Sequence, residues 1–98
     1  MKPLQFEWDP QKARENLLKH RVSFPEAMTA FLDDQALLIP DTAHSVSENR
    51  FILLGLSARL RMLVVCQCYR QSDEIIRLIS ARKANAKERA QYAERPQL

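Results

Sequence analysis

The stretch EIIRLISARKANAKERAQY, residues 74 to 92, changes its period halfway along. In its first part Ile75, Arg77 and Ile79 fall on one side of an extended chain and Ile76, Leu78 and Ser80 on the other, because successive strand side chains point to opposite faces. Its second part opens with Asn85-Ala86-Lys87-Glu88, where Asn85 caps a helix and Glu88 returns the bond from three residues on. A strand that runs straight into a capped helix implies a sheet covered by that helix. Both faces of the strand are largely apolar, so it is central and covered on both sides, or covered on one and lined with a groove on the other; Arg77 within it needs a partner, and Arg82 and Lys83 stand at its exit.

Working back toward the N-terminus, residues 50 to 57 and 61 to 70 read as two more strands of an antiparallel meander with residues 74 to 80. Their links, Ala58-Arg59-Leu60 and Gln71-Ser72-Asp73, lack the Asn-Gly or Gly-Gly of tight two-residue hairpins. Residues 36 to 40 form a short apolar run that suits an edge strand, since Pro40 has no N–H for a ladder. The polar residues 41 to 49 are turn-like.

Before residue 36 the period is helical. Asp9-Pro10 starts a helix that runs to about His20, with Ala13, Leu17 and His20 on one face. Ser23-Phe24-Pro25-Glu26 has the pattern of a capping box, and Val22 staples against Ala27. Phe24, Ala27, Met28 and Phe31 are the buried face of this second helix, and Asp33-Asp34 stops it. In the C-terminal helix Ala86, Ala90 and Ala93 give a narrow side for the sheet, Glu88 and Tyr92 an i, i+4 pair on another, and Pro96 the stop. The expected fold is α+β: two N-terminal helices, a three- to four-stranded antiparallel sheet and a C-terminal helix in two layers, forming a single domain over residues 1 to 98.

Charge is divided along the chain. Residues 1 to 49 hold five Lys or Arg against eight acids, and residues 50 to 98 hold ten against four, so a half of net −3 precedes one of net +6. A basic half of that kind fits a polyanion-binding surface, and equally an ordinary solvated surface. The two cysteines, Cys66 and Cys68, would point to the same side of a strand without room for a disulfide, and read as core thiols. His20 and His44 are single and distant, so a four-ligand metal site is not expected. No apolar run approaches the length of a spanning helix, and the acids of MKPLQFEWDP do not suit a secretion signal, which points to a cytoplasmic protein with no membrane partner.

With one glycine in the chain, a Gly-rich nucleotide loop is nearly excluded. If the chain is an enzyme on RNA, it would use the substrate's own 2′-OH, which needs a base, an acid and cations on the phosphate, and neither metal nor cofactor. His20, Glu88 and Tyr92 have suitable proton chemistry. Arg50, Arg70, Arg77, Arg82 and Lys83 can bind or stabilise phosphate charge, and Arg fits phosphate oxygens with a planar fork. Arg77 has a plainer reading as a structural arginine paired with Glu74 or Glu88, and His20 as a core or helix-end histidine.

The segments FEWDPQKARENLLKHRVSFPEA (6 to 27), ENRFILLGLS (48 to 57) and IRLISARKANAKERAQY (76 to 92), in this order over nearly the whole chain, resemble the BrnT family of toxins of bacterial type II toxin–antitoxin systems. The resemblance implies a RelE-like fold and a metal-independent ribonuclease that arrests translation and growth. It also implies a BrnA-like ribbon-helix-helix antitoxin, with operator DNA reached only through that antitoxin. By matching motifs it implies site residues His20, Arg50, Arg82 and Tyr92, with Lys19 beside His20 and Lys83 beside Arg82; Arg70, Arg77 and Arg89 complete the nucleic-acid-binding candidates. The competing readings are a noncatalytic RNA- or antitoxin-binding module on the same fold and a plain interaction subunit. The Ala58-Arg59-Leu60-Arg61 turn without glycine and the Cys66-Gln67-Cys68 stretch depart from the family's usual pattern.

Overall fold

The computed structural model describes residues 3–44, 49–70 and 74–95. Its elements are β1 (Gln5–Glu7), α1 (Pro10–His20), α2 (Phe24–Ala30), β2 (Leu37–Pro40), β3 (Arg50–Leu56), β4 (Met62–Arg70), β5 (Ile75–Lys83) and α3 (Ala86–Glu94). Residues 45–48 of the expected turn over 41 to 49, the link at 71–73 and the stop at Pro96 lie outside the described residues.

Strand order is β1-β5-β4-β3-β2. The meander β3–β4–β5 and the edge position of β2 are as expected. The sheet has five strands, not three or four, and it is mixed: β1 pairs in parallel with β5, Gln5 opposite Ile75 and Glu7 opposite Arg77. Three residues give too short an alternation to be read as a strand, so only the tertiary partner reveals β1.

Asp9 caps α1 by accepting from the Gln11 N–H at 2.9 Å, with Pro10 in the first turn. The helix ends at Arg21, in the left-handed region at φ 60°. Half of the expected capping box at Ser23 forms: its hydroxyl accepts from the Glu26 N–H at 3.1 Å, while the Glu26 carboxylate turns away to other partners. At Asn85 both halves form, with Glu88 accepting from the Asn85 N–H at 2.9 Å and Asn85 accepting from the Glu88 N–H at 2.8 Å. In the β3–β4 link the missing glycine has a visible consequence, because Leu60 itself takes φ 63°.

α2 packs its Phe24, Ala27 and Ala30 against Leu53, Leu63, Val65, Ile76, Leu78 and Ala81 on one sheet face. Burying Phe24 completely contributes about 1.5–3 kcal/mol. At the chain's single glycine the approach is closest: a Cβ on Gly55 would lie 2.9 Å from the Ala30 carbonyl oxygen. α3 does not join that layer. Its Tyr92 packs on Leu54 and Val64, which neighbour Leu53 and Leu63 in sequence and therefore face the other way. Helices thus flank the sheet on both faces, and the expected two-layer arrangement gains a partial third layer. The side of α3 that meets the sheet is that of Glu88 and Tyr92, whereas Ala86, Ala90 and Ala93 are exposed: the Arg82–Glu88 pair and the packing of Tyr92, not the small residues, hold this helix down.

A second departure concerns α1. The sequence places Leu17 in its apolar stripe, but Leu17 is 48% exposed and the buried residue of the helix is Asn16. Its amide donates to the carbonyls of Val22 and Ala81 at 2.9 and 2.8 Å and accepts from the Ala81 N–H at 3.0 Å. Asn16 thereby serves the edge of β5 beyond the point where β1 stops, as a neighbouring strand would.

Candidate functional site

β3, β4 and β5 present one face away from α2. Arg50, Cys68 and Arg77 are register partners across the three strands, so their side chains share that face. Arg70 continues the side of Cys66 and Cys68, and Arg82 is opposite Val64 on the same side. Four arginines from three strands therefore stand on one surface. Alternation alone would separate Arg77 from Arg82, which are five residues apart. The register shifts between Cys66 and Gln67, where Cys66 meets Ser80 and Gln67 meets Leu78, and Ile79 is the extra residue of a bulge. This bulge brings Arg82 onto the face of Arg77, and it moves Ser80, expected on the face of Leu78, to that of Arg77 as well. Lys83, opposite Leu63, projects the other way.

Arg82 and Glu88 face each other fork to fork: the two guanidinium nitrogens donate to the two carboxylate oxygens, each at 2.8 Å. Glu88 is thus shared between Arg82 and the cap of α3. The hydrogen bond from Arg82 is the main reason its carboxyl is held below the usual glutamate range, against the opposing effect of burial. Ionised and bidentate, Glu88 is an anchor for Arg82 and poorly suited to donating a proton. Arg77 donates to Glu7 at 2.7 Å, so its partner is on β1 and is neither Glu74 nor Glu88. Arg89 donates to the Ala84 carbonyl at 2.8 Å and fastens the junction between β5 and α3.

Tyr92 reaches from α3 across the sheet and donates its hydroxyl to Asp33 at 2.7 Å, while the Arg95 guanidinium lies 4.3 Å from its ring centre. Burial and then the Asp33 carboxylate push the phenol above its ordinary value, so at neutral pH it is protonated. Asp33 also accepts from the Leu56 N–H at 2.9 Å. Burial works against the charge of Asp33, and these bonds outweigh it to hold the carboxyl below the usual range. No local pattern near residue 33 announces this contact with residue 92, which exists only through the fold.

His20 and Lys19 stand elsewhere. With Lys12, Glu15, Asn16, Ile79 and Ser80 they line an open depression beside β5, on the far side of that strand from β4. Tyr92 instead packs against the cluster of Leu54, Val64 and Ala84. His20 thus lies beyond the β5 edge and Tyr92 over β3 and β4, with Arg82 on the strand between them. Cys68 is fully buried and Cys66 partly so, both as free thiols on the arginine face.

One charged cluster was not singled out in the sequence. Glu26, 6% exposed, accepts from the Ser57 hydroxyl at 2.7 Å and the Arg61 Nε at 2.9 Å and pairs with a second Arg61 nitrogen, while Arg59 lies at 3.9 Å. The hydrogen bond from Arg61 is the largest cause of its lowered carboxyl pKa. This group ties α2 to the β3–β4 turn, and its polar capacity is consumed internally.

Residues 8–88 match the family model described as ribonuclease toxin, BrnT, of type II toxin-antitoxin system. Among solved structures, the Brucella abortus ribonuclease toxin BrnT is similar, with a TM-score of 0.66 and 22% identity over 85% of this chain and 99% of that one. That likeness concerns the fold. No curated protein matches the chain. Among the described residues no helix is long and apolar enough to cross a membrane.

Proposed function

The chain belongs to the BrnT family of ribonuclease toxins of type II toxin–antitoxin systems, and on that premise we propose that it is itself an endoribonuclease that cleaves RNA through the substrate's 2′-OH and is neutralised by a BrnA-like ribbon-helix-helix antitoxin. The type II class implies an antitoxin partner. The observation that carries the ribonuclease reading is the set of four arginines on one sheet face, with Arg82 held by Glu88 in a fixed orientation.

In this reading the RNA backbone lies along the strands. Arg50, Arg70 and Arg77 hold phosphates toward one end, and Arg82 receives the scissile phosphate, on which negative charge builds during attack. His20, beyond the β5 edge, takes the proton of the 2′-OH. Tyr92, kept protonated on the other side of Arg82, turns its hydroxyl away from Asp33 to give its proton to the leaving 5′-oxygen. Attack forms the bond from the 2′-oxygen to phosphorus and breaks the bond to the 5′-oxygen. The products are a 2′,3′-cyclic phosphate and a 5′-hydroxyl, and no metal takes part.

Incubating the purified chain with RNA, without antitoxin, tests this. Cyclic phosphate ends are expected on RNA, and 2′-O-methyl RNA of the same sequence should stay whole. RNA left intact under these conditions would instead favour a noncatalytic binding module, and cleavage of the 2′-O-methyl strand would rule out the 2′-OH route.

A further inference from the structure

Lys12, Glu15, Asn16, Lys19 and His20 recur at intervals of three and four, and so form one stripe along α1. Asn16 in its middle is consumed by the β5 edge, while the others line the depression that Ile79 and Ser80 complete. β1 pairs with β5 only from Ile75 to Arg77, so among the described residues no strand covers the β5 edge at Ser80. Ser80 also meets Cys66 on the arginine face, which makes it common to that face and to the depression. Among the described residues neither Lys12, Lys19 nor His20 has an ion pair or a side-chain hydrogen bond. The single acid in the lining, Glu15, leaves the stripe with a positive balance.

We propose that this stripe is a second phosphate-binding segment of the RNA site: a single RNA strand leaves the arginine face over Ser80 and continues along α1, with Lys12 and Lys19 on different phosphates. The proposal rests on the ribonuclease reading above and extends it from His20, at the reacting centre, to Lys12 and Lys19 along the same helix. Seven residues of helix separate the two lysines by roughly 10 Å, too far for both to serve one phosphate group. Solvated ammonium groups without protein partners give up their counterions on meeting phosphate, which favours binding most at low salt. The Ser80 hydroxyl, at the crossing, is available to a phosphate oxygen there. A strand bound this way extends beyond the dinucleotide that is cut.

The experiment measures affinity for a 2′-O-methyl RNA strand between about 50 and 200 mM salt, a range in which phosphate contacts weaken steeply. Lys12→Ala combined with Lys19→Ala should lower the slope of log affinity against log salt by about 1.4, or roughly 0.7 for each phosphate contact on a single strand. Lys12→Arg with Lys19→Arg should restore the slope, and Arg14→Ala, off the stripe, should leave it at the wild-type value. On cleavable RNA the double alanine variant should raise KM while kcat holds. An unchanged slope in the double alanine variant, with wild-type binding and cleavage intact, overturns the second segment and leaves the ribonuclease reading standing. Loss of antitoxin binding with the RNA slope unchanged also overturns it and assigns the stripe to a protein interface. A wild-type chain that shows neither salt-sensitive RNA binding nor cleavage removes the ribonuclease reading and this inference with it.

Discussion

On the sheet face Arg77 and Arg82 are each tied to a carboxylate, Glu7 and Glu88, whereas Lys12 and Lys19 on α1 meet none among the described residues. The difference teaches how one basic surface can divide its work. A guanidinium anchored fork to fork has lost its rotamer freedom in advance and presents its remaining N–H groups in a set direction, which favours reaction geometry over raw affinity. A free lysine keeps its freedom and its counterions, and so contributes attraction with little direction. The paired arginines suit a reacting phosphate, and the unpaired lysines suit the strand on either side of it.

Arg82→Ala is the substitution with the largest expected effect on that contrast. Cleavage should fall about 10²–10³-fold, the usual loss when a charge-stabilising donor is removed from a transition state. Growth inhibition should vanish while the far-UV circular dichroism stays native; undiminished toxicity would take the reacting centre away from Arg82.

Asn16→Ala attacks the other region through its support. It leaves the N–H and carbonyl of Ala81 and the Val22 carbonyl without their buried partner, so unfolding free energy should drop by about 2–4 kcal/mol in urea titrations. A smaller loss would mean that water replaces the amide at the β5 edge and that α1 is held by other contacts.

Glu88→Gln gives the smallest effect and the finest distinction. Arg82 should keep its charge but lose its bidentate anchor, and cleavage should fall about tenfold, between wild type and the alanine variant. Its pH signature follows from the lowered carboxyl pKa. The folded value lies below the ordinary 4.5, so the wild-type pair stabilises fully above that pH and loses its contribution as pH falls through the folded value. The Gln variant should therefore show a shallower acid loss of stability than wild type; identical profiles would show that the pair has no net effect on folding.

The meander, the three helix starts and the edge position of β2 were legible because each rests on local chemistry: alternation, caps, and a proline without a donor. β1 was not, since three residues of strand become a strand only when β5 supplies the partner. The inward face of α1 was misjudged for a related reason. Leu17 looks buried by periodicity, but the neighbour of α1 is a strand edge with open N–H and C=O groups, which an amide satisfies and a leucine cannot.

The candidate site divides along the same line. Sequence by itself determined that Arg82 would stand at the join of strand and helix beside a Glu88 capping box, since both follow from short-range spacing. Only the tertiary structure decided that Arg82 shares a face with Arg77, that Glu7 and not Glu74 or Glu88 holds Arg77, and that Asp33 receives Tyr92. A bulge is set by register between strands, and an ion pair by which elements meet; neither is a property of the residues adjacent in the chain.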